Sequence, residues 1–139
     1  MSAMQKTVTP IDNTVYVERP YNNAREVQET LTRAVRAQAE WRHVPVAERQ
    51  RRLNAFVDKF LTHKDQFAEE ITRQMGRPIS QSPGEMRGFE ERARYMIEIA
   101  PEALADIEAK DKPGFTRFIR REPLGVVFIV APWNYPYLT

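Results

Sequence analysis

The stretch that decides the fold is Leu124-Gly125-Val126-Val127-Phe128-Ile129-Val130-Ala131, which runs directly into Pro132-Trp133-Asn134-Tyr135-Pro136. A strand with one face in water alternates apolar and polar residues. This run does not alternate and is rich in β-branched side chains, so it reads as a strand buried on both faces, the situation in a parallel α/β sheet. Such a strand needs neighbours for its backbone groups, because each buried N–H or C=O left unpaired costs roughly 1–3 kcal/mol. Only two weaker segments upstream, Thr14–Glu18 and Phe115–Arg121, are β-prone, and no crossover follows. The expectation is therefore an incomplete α/β fold whose missing sheet partners lie in the same polypeptide or another. The other reading is a small α+β domain in which this run closes a three-stranded sheet.

Upstream, the pattern is helical. Val27, Leu31, Ala34, Val35 and Trp41 recur at three- and four-residue spacing, with Asn22 or Asn23 placed to cap the start, which predicts an amphipathic helix from Asn23 to about Glu40. Leu53, Phe56, Val57, Phe60, Leu61, Phe67, Ala68, Ile71 and Met75 trace a second apolar face. Pro45 stands near its start, a break is available at Thr62-His63, and Gly76-Arg77-Pro78 is a stop signal. Met86, Phe89, Ala93, Met96, Ile97 and Ala100 form the stripe of a third helix, and Pro101 begins a further short turn. Asp111-Lys112-Pro113-Gly114 is turn punctuation. The resulting organisation is a loose tail with a short strand over 1–22, a helical part over 23–112, a β-segment over 113–123, and the buried strand with its loop over 124–139.

Composition narrows the function classes. The 139 residues are 42% hydrophobic and 29% charged, which suits one soluble globular unit. Twenty-one basic and nineteen acidic side chains leave a net charge of +2, so nothing singles out a nucleic-acid or membrane partner. No cysteine is present, which removes disulfides, thiolate metal sites and thiol nucleophiles from this chain. Met1–Pro10 has no apolar signal core, and Val126–Ala131 is far shorter than the ~20 residues a membrane helix needs. A soluble, cytoplasmic protein is the expectation. His43 and His63 lack the short spacing of a metal site, and no metal is expected. Gly84-Glu85-Met86-Arg87-Gly88 lacks both the strand and the spacing of a dinucleotide turn.

The chemistry-bearing feature is the loop after the apolar run. In open α/β sheets, ligands sit beyond the carboxyl ends of the strands. Pro132 and Pro136 fix their own φ and restrict the residues before them, holding Asn134 in a narrow backbone range. A positioned asparagine amide can stabilise a developing oxyanion. On spacing alone the alternative stays open that Asn134 only makes a turn and that Trp133 and Tyr135 are core.

Arg117-Phe118-Ile119-Arg120-Arg121-Glu122-Pro123-Leu124-Gly125-Val126-Val127, continuing into Ala131-Pro132-Trp133-Asn134-Tyr135-Pro136, closely resembles the aldehyde dehydrogenase superfamily. Trp41, Glu48-Arg49 and the Met75-Gly76-Arg77-Pro78 break look like that family's N-terminal helices. The resemblance implies a Rossmann-type cofactor domain and oxidation of an aldehyde to a carboxylic acid through a thiohemiacetal and a thioester, with NAD or NADP as hydride acceptor. It gives Asn134 the oxyanion-hole role and places Ala131, Pro132 and Trp133 along the cofactor cleft. Tyr135 falls at the substrate tunnel, and Phe115–Arg121 within a bridging β-segment used in assembly of a homo-dimer or tetramer. The family's nucleophilic cysteine, its general-base glutamate and its cofactor-turn glycines have no counterpart here. The chain alone is therefore expected to be inactive and to bind no cofactor tightly, as an N-terminal portion of a longer enzyme. The competing expectations are a non-catalytic oligomerisation module that joins full-length dehydrogenase and a free-standing helical binding protein.

Overall fold

In the computed structural model, which describes residues 3–139, the N-terminal segment is a hairpin where the sequence suggested a tail. Strand β1 (Met4–Val8) pairs antiparallel with β2 (Val15–Pro20), and residues 1 and 2 of the expected tail lie outside the described residues. The first strand has no periodic signal because Gln5, Lys6 and Thr7 are polar on both faces; its partner, and not its own pattern, specifies it. Lys6 and Glu18 stand opposite each other across the ladder and pair at 3.0 Å. The turn is tied by Asp12, whose Oδ1 accepts from the Thr14 N–H at 2.9 Å and the Thr14 hydroxyl at 2.7 Å. Those hydrogen bonds hold the Asp12 carboxyl below the usual carboxylate range.

Helix α1 (Ala24–Trp41) begins with a reciprocal capping box: the Asn23 side chain accepts from the Glu26 N–H, and Glu26 accepts from the Asn23 N–H. None of its residues is buried, so the Val27, Leu31 and Val35 stripe faces outward. The second expected helix divides at Thr62-His63 into α2 (Val46–Leu61) and α3 (Lys64–Met75). Gly76 ends α3 in the left-handed region at φ 81°, as a glycine cap does. Helix α4 (Pro83–Ala103) continues through Pro101, where the sequence suggested a new turn.

Helices α2, α3 and α4 make the core. Val57, Ala68, Ile71, Met86 and Ile97 are its buried apolar residues. Around them the Phe60 ring lies 4.6 Å from Phe67 and 4.5 Å from Phe89, centroid to centroid, within the range of favourable aromatic pairs. At the surface, Arg94 on α4 bridges to Asp58 on α2 at 2.7 Å.

Beyond α4 the β-structure is slight. Strands β3 (Ile107–Glu108) and β4 (Phe118–Ile119) pair, with an isolated bridge between Lys112 and Phe115, so the expected 115–121 strand shrinks to two residues. The guanidinium groups of Arg117 and Arg121 hydrogen-bond to the backbone carbonyls of Lys110 and Ala103. The run 124–131 joins no sheet in this structure, in contrast to the buried strand its pattern predicts. The described strands form only the two-stranded sheets β1-β2 and β3-β4, and neither extends to this run, whose pattern calls for ladder partners on both edges and cover on both faces. Leu124 is 95% exposed and Phe128 87%. Burying six such side chains is worth roughly 9–18 kcal/mol at about 1.5–3 each, as much as the whole net stability of a typical domain.

Candidate active site

The loop that follows this bare run is firmly held. Two charged side chains from the helical layer reach it, Arg77 just past the end of α3 and Glu85 in the first turn of α4. Both are withdrawn from water: the Glu85 side chain has no exposed surface, and that of Arg77 is 11% exposed. Arg77 Nη1 donates to Glu85 Oε2 at 2.5 Å. Arg77 Nη2 donates to the backbone carbonyl of Asn134, and the guanidinium lies 4.6 Å from the Tyr135 ring centroid. The other Glu85 oxygen, Oε1, accepts the backbone N–H of Tyr137 at 2.8 Å and of Leu138 at 3.3 Å.

The loop's far end is anchored by packing. Tyr137 inserts its ring against Phe60 and Phe67, at 5.4 and 5.3 Å between centroids. Burial, and then the nearby Glu70 and Glu85 carboxylates, push the Tyr137 phenol above its ordinary pKa. Leu138 lies over Gly88 of α4, where a methyl group in place of the glycine hydrogen would stand 3.2 Å from the leucine. The absence of a side chain at Gly88 therefore lets the loop approach the helix.

The structure thus places the five residues singled out by sequence on one short turn, in different surroundings. Asn134 and Pro132 are half-buried, while Ala131, Trp133 and Tyr135 are exposed. Trp133 borders an open groove of about 610 Å³ together with the β-hairpin and α3. Ala131, Pro132, Asn134 and Tyr135 do not line it. Arg77 and Glu85 entered the sequence reading only within a helix stop and a rejected dinucleotide turn, and Tyr137 and Leu138 not at all, so none of the four was singled out for the site. The local signal at Glu85 is misleading, since Ser82-Pro83-Gly84-Glu85 has capping-box spacing. Ser82 makes no side-chain cap bond, and Glu85 turns to the loop, a choice settled by residues more than fifty positions away. Among the described residues no group of three or more His, Cys, Asp or Glu is placed to hold a metal, and no helix is long and apolar enough to cross a membrane.

Helices packed beneath a Pro-Trp-Asn loop, with an unpaired apolar run leading into it, fit an incomplete α/β unit, and the comparisons with known proteins carry this further. Residues 2–139 match the aldehyde dehydrogenase family, and the chain belongs to it. It is 30% identical over 129 residues to the 3,6-anhydro-alpha-L-galactose dehydrogenase of Streptomyces coelicolor, an alignment covering 93% of this chain and 26% of that protein. Among solved structures, PnpE in complex with nicotinamide adenine dinucleotide superposes with a TM-score of 0.88 at 26% identity, over 98% of this chain and 28% of that one. The NADP-dependent glyceraldehyde-3-phosphate dehydrogenase of Bacillus halodurans, complexed with NADP, gives 0.87 at 26% identity, over 98% and 30%. The chain spans about a quarter of the length of the curated relatives it matches.

Proposed function

We propose that this chain forms the N-terminal part of an NAD(P)-dependent aldehyde dehydrogenase that oxidises an aldehyde to a carboxylic acid, with Asn134 as an oxyanion-hole donor. The observation that carries the reading is the pairing of opposites at the chain's end. A wholly apolar run lies bare at 124–131, while the Pro-Trp-Asn loop after it is clamped by a buried ion pair. A loop held so firmly beside an uncovered hydrophobic segment suits a site completed by further sheet and by the groups that do the chemistry.

The residues present fit one end of a dinucleotide. Ala131, Pro132 and Trp133 offer backbone and apolar surface, suited to a ribose and a nicotinamide ring, but no cation for the phosphates. They would hold the nicotinamide end, and NAD(P)+ when bound supplies the hydride acceptor. The role of Asn134 is to direct its amide N–H at the substrate oxygen as that oxygen gains charge, where a fixed donor in a water-poor site is worth most. Tyr135, partly covering Arg77, faces the substrate side. The nucleophile belongs elsewhere, since the chain has no cysteine. The same reading makes the 113–123 segment a contributor to assembly of a homo-dimer or tetramer, and the protein cytoplasmic.

The test is aldehyde-dependent formation of NAD(P)H. The whole polypeptide carrying this chain is expected to show it, with Asn134→Ala lowering kcat by about 10²–10³-fold. The 139-residue chain alone is expected to show none. Turnover by the isolated chain that vanishes on Asn134→Ala would overturn the reading, as would a whole enzyme indifferent to that change.

A further inference from the structure

We infer that Arg77 and Glu85 are positioning residues for Asn134: a buried guanidinium–carboxylate pair that sets the height and angle of the Pro-Trp-Asn loop above the helical layer. The inference rests on the dehydrogenase reading given above and adds to it a pair of residues that touch neither substrate nor cofactor.

The geometry leaves little slack. Arg77 takes the carbonyl of Asn134 and covers the ring of Tyr135, while Glu85 takes the N–H groups of Tyr137 and Leu138. Two side chains thereby fix the residues on both sides of Pro136, and the 2.5 Å bond between them makes the two grips one unit. The fork of the guanidinium is essential, since one nitrogen serves the carboxylate and the other the loop carbonyl. A lysine ammonium carries its three donors on one nitrogen and would have to meet both acceptors from a single point, without the two separated nitrogens of the fork.

Stability alone is a poor reason for this pair. Taking two charges out of water is expensive, and apolar residues of similar volume are often as stabilising or more so. What apolar residues cannot do is hold backbone groups at fixed points. An oxyanion donor works at about 2.7–3.1 Å from the developing charge, and a misplacement of about 1 Å can cost on the order of 10²-fold in rate. The loop's own two prolines restrict its internal shape but not its position against α4. Arg77 and Glu85 supply that second constraint.

Steady-state kinetics of the whole dehydrogenase carrying this chain test the inference. Arg77→Lys is expected to lower kcat by about 10- to 100-fold while KM for aldehyde and for NAD(P)+ changes by less than about threefold. Glu85→Gln, isosteric with the native side chain, carries the same expectation, so loss of folding in one variant leaves the other decisive. The discriminating readout is the double variant. If Arg77 acts through Asn134, then Arg77→Lys costs less than about threefold further in an Asn134→Ala background. Losses that multiply in the double variant would show a merely structural role and overturn the inference, as would an unchanged kcat in the single variants. If Asn134→Ala by itself leaves kcat intact, the oxyanion reading fails first, which separates the two failures.

Discussion

The Gln50 side-chain amide on α2 donates to the backbone carbonyl of Ile97 on α4 at 2.6 Å, and that carbonyl is the one Pro101 deprives of its helical partner. Residue 101 would normally donate its N–H four residues back, but proline has none. Gln50 replaces the missing donor from the neighbouring helix, which is how α4 passes through Pro101 without ending there. Gln50→Leu is therefore expected to destabilise the protein by about 1–3 kcal/mol, the cost of an unsatisfied buried carbonyl. In a Pro101→Ala background, where the helix regains its own N–H, the same change should cost less than about 1 kcal/mol. Denaturant unfolding of the four proteins in this cycle measures the difference, and equal costs in both backgrounds would refute the assignment.

Gly76 is constrained twice. Its φ of 81° is the left-handed conformation, and a Cβ there would stand 2.8 Å from Pro10 Cγ in the β-hairpin turn. Gly114 has nearly the same conformation, φ 79°, with nothing within 4 Å of where its Cβ would be. Gly114→Ala should cost only the left-handed penalty of roughly 1–2 kcal/mol. Gly76→Ala should cost at least roughly 1 kcal/mol more, because the hairpin has to move as well. Thermal melts of the two variants decide it, and Pro10→Ala should narrow the gap.

The contrast between Gly76 and the hairpin shows what the sequence discloses. The helices were legible because their information is local: stripes at helical spacing, an Asn cap and a glycine stop. The break at Thr62-His63 and the Gly76 stop both fall where those signals put them. Strand β1 was not legible, since its polar residues signal nothing until β2 pairs with them. The run 124–131 is the reverse case, with a strong local pattern for a strand and no paired strand in this structure. For the loop, its place after the apolar run and its two prolines pointed to Asn134, and the resemblance to the aldehyde dehydrogenases added Ala131, Pro132, Trp133 and Tyr135. It could not point to Arg77 and Glu85, because a charged residue near a helix end reads as solvent-facing until the fold brings a distant backbone to it.

Glu48 accepts from Arg51 at 2.7 Å and from Arg52 at 2.6 Å, and these hydrogen bonds, with the two guanidinium charges, lower its pKa from 4.5 to about 2. A carboxylate depressed in the folded state stabilises fully above its unfolded value, and that contribution fades as pH falls from about 4.5 towards about 2. Nuclear magnetic resonance titration should find Glu48 ionised well below pH 4.5, the ordinary value. Arg51→Gln with Arg52→Gln should return it towards that value. A Glu48 that titrates normally in the native protein would show that the exposed cluster is too mobile to perturb it.

The bare apolar run makes a prediction whose sign depends on context. Leu124, Phe128 and Val130 are each more than three-quarters exposed. Such a contiguous patch on an isolated chain invites self-association. Replacing all three with lysine should therefore make the 139-residue chain less prone to aggregate and less able to bind a hydrophobic dye, as read by light scattering and fluorescence. In the whole dehydrogenase the same substitutions should be ruinous. There the run is expected to be a sheet interior, where an unpaired ammonium cannot be accommodated, and soluble enzyme should fall sharply. Improved behaviour in both settings would mean that the run stays on the surface of the complete protein. The reading of residues 124–131 as an interior strand would then be wrong, whatever the fate of Asn134.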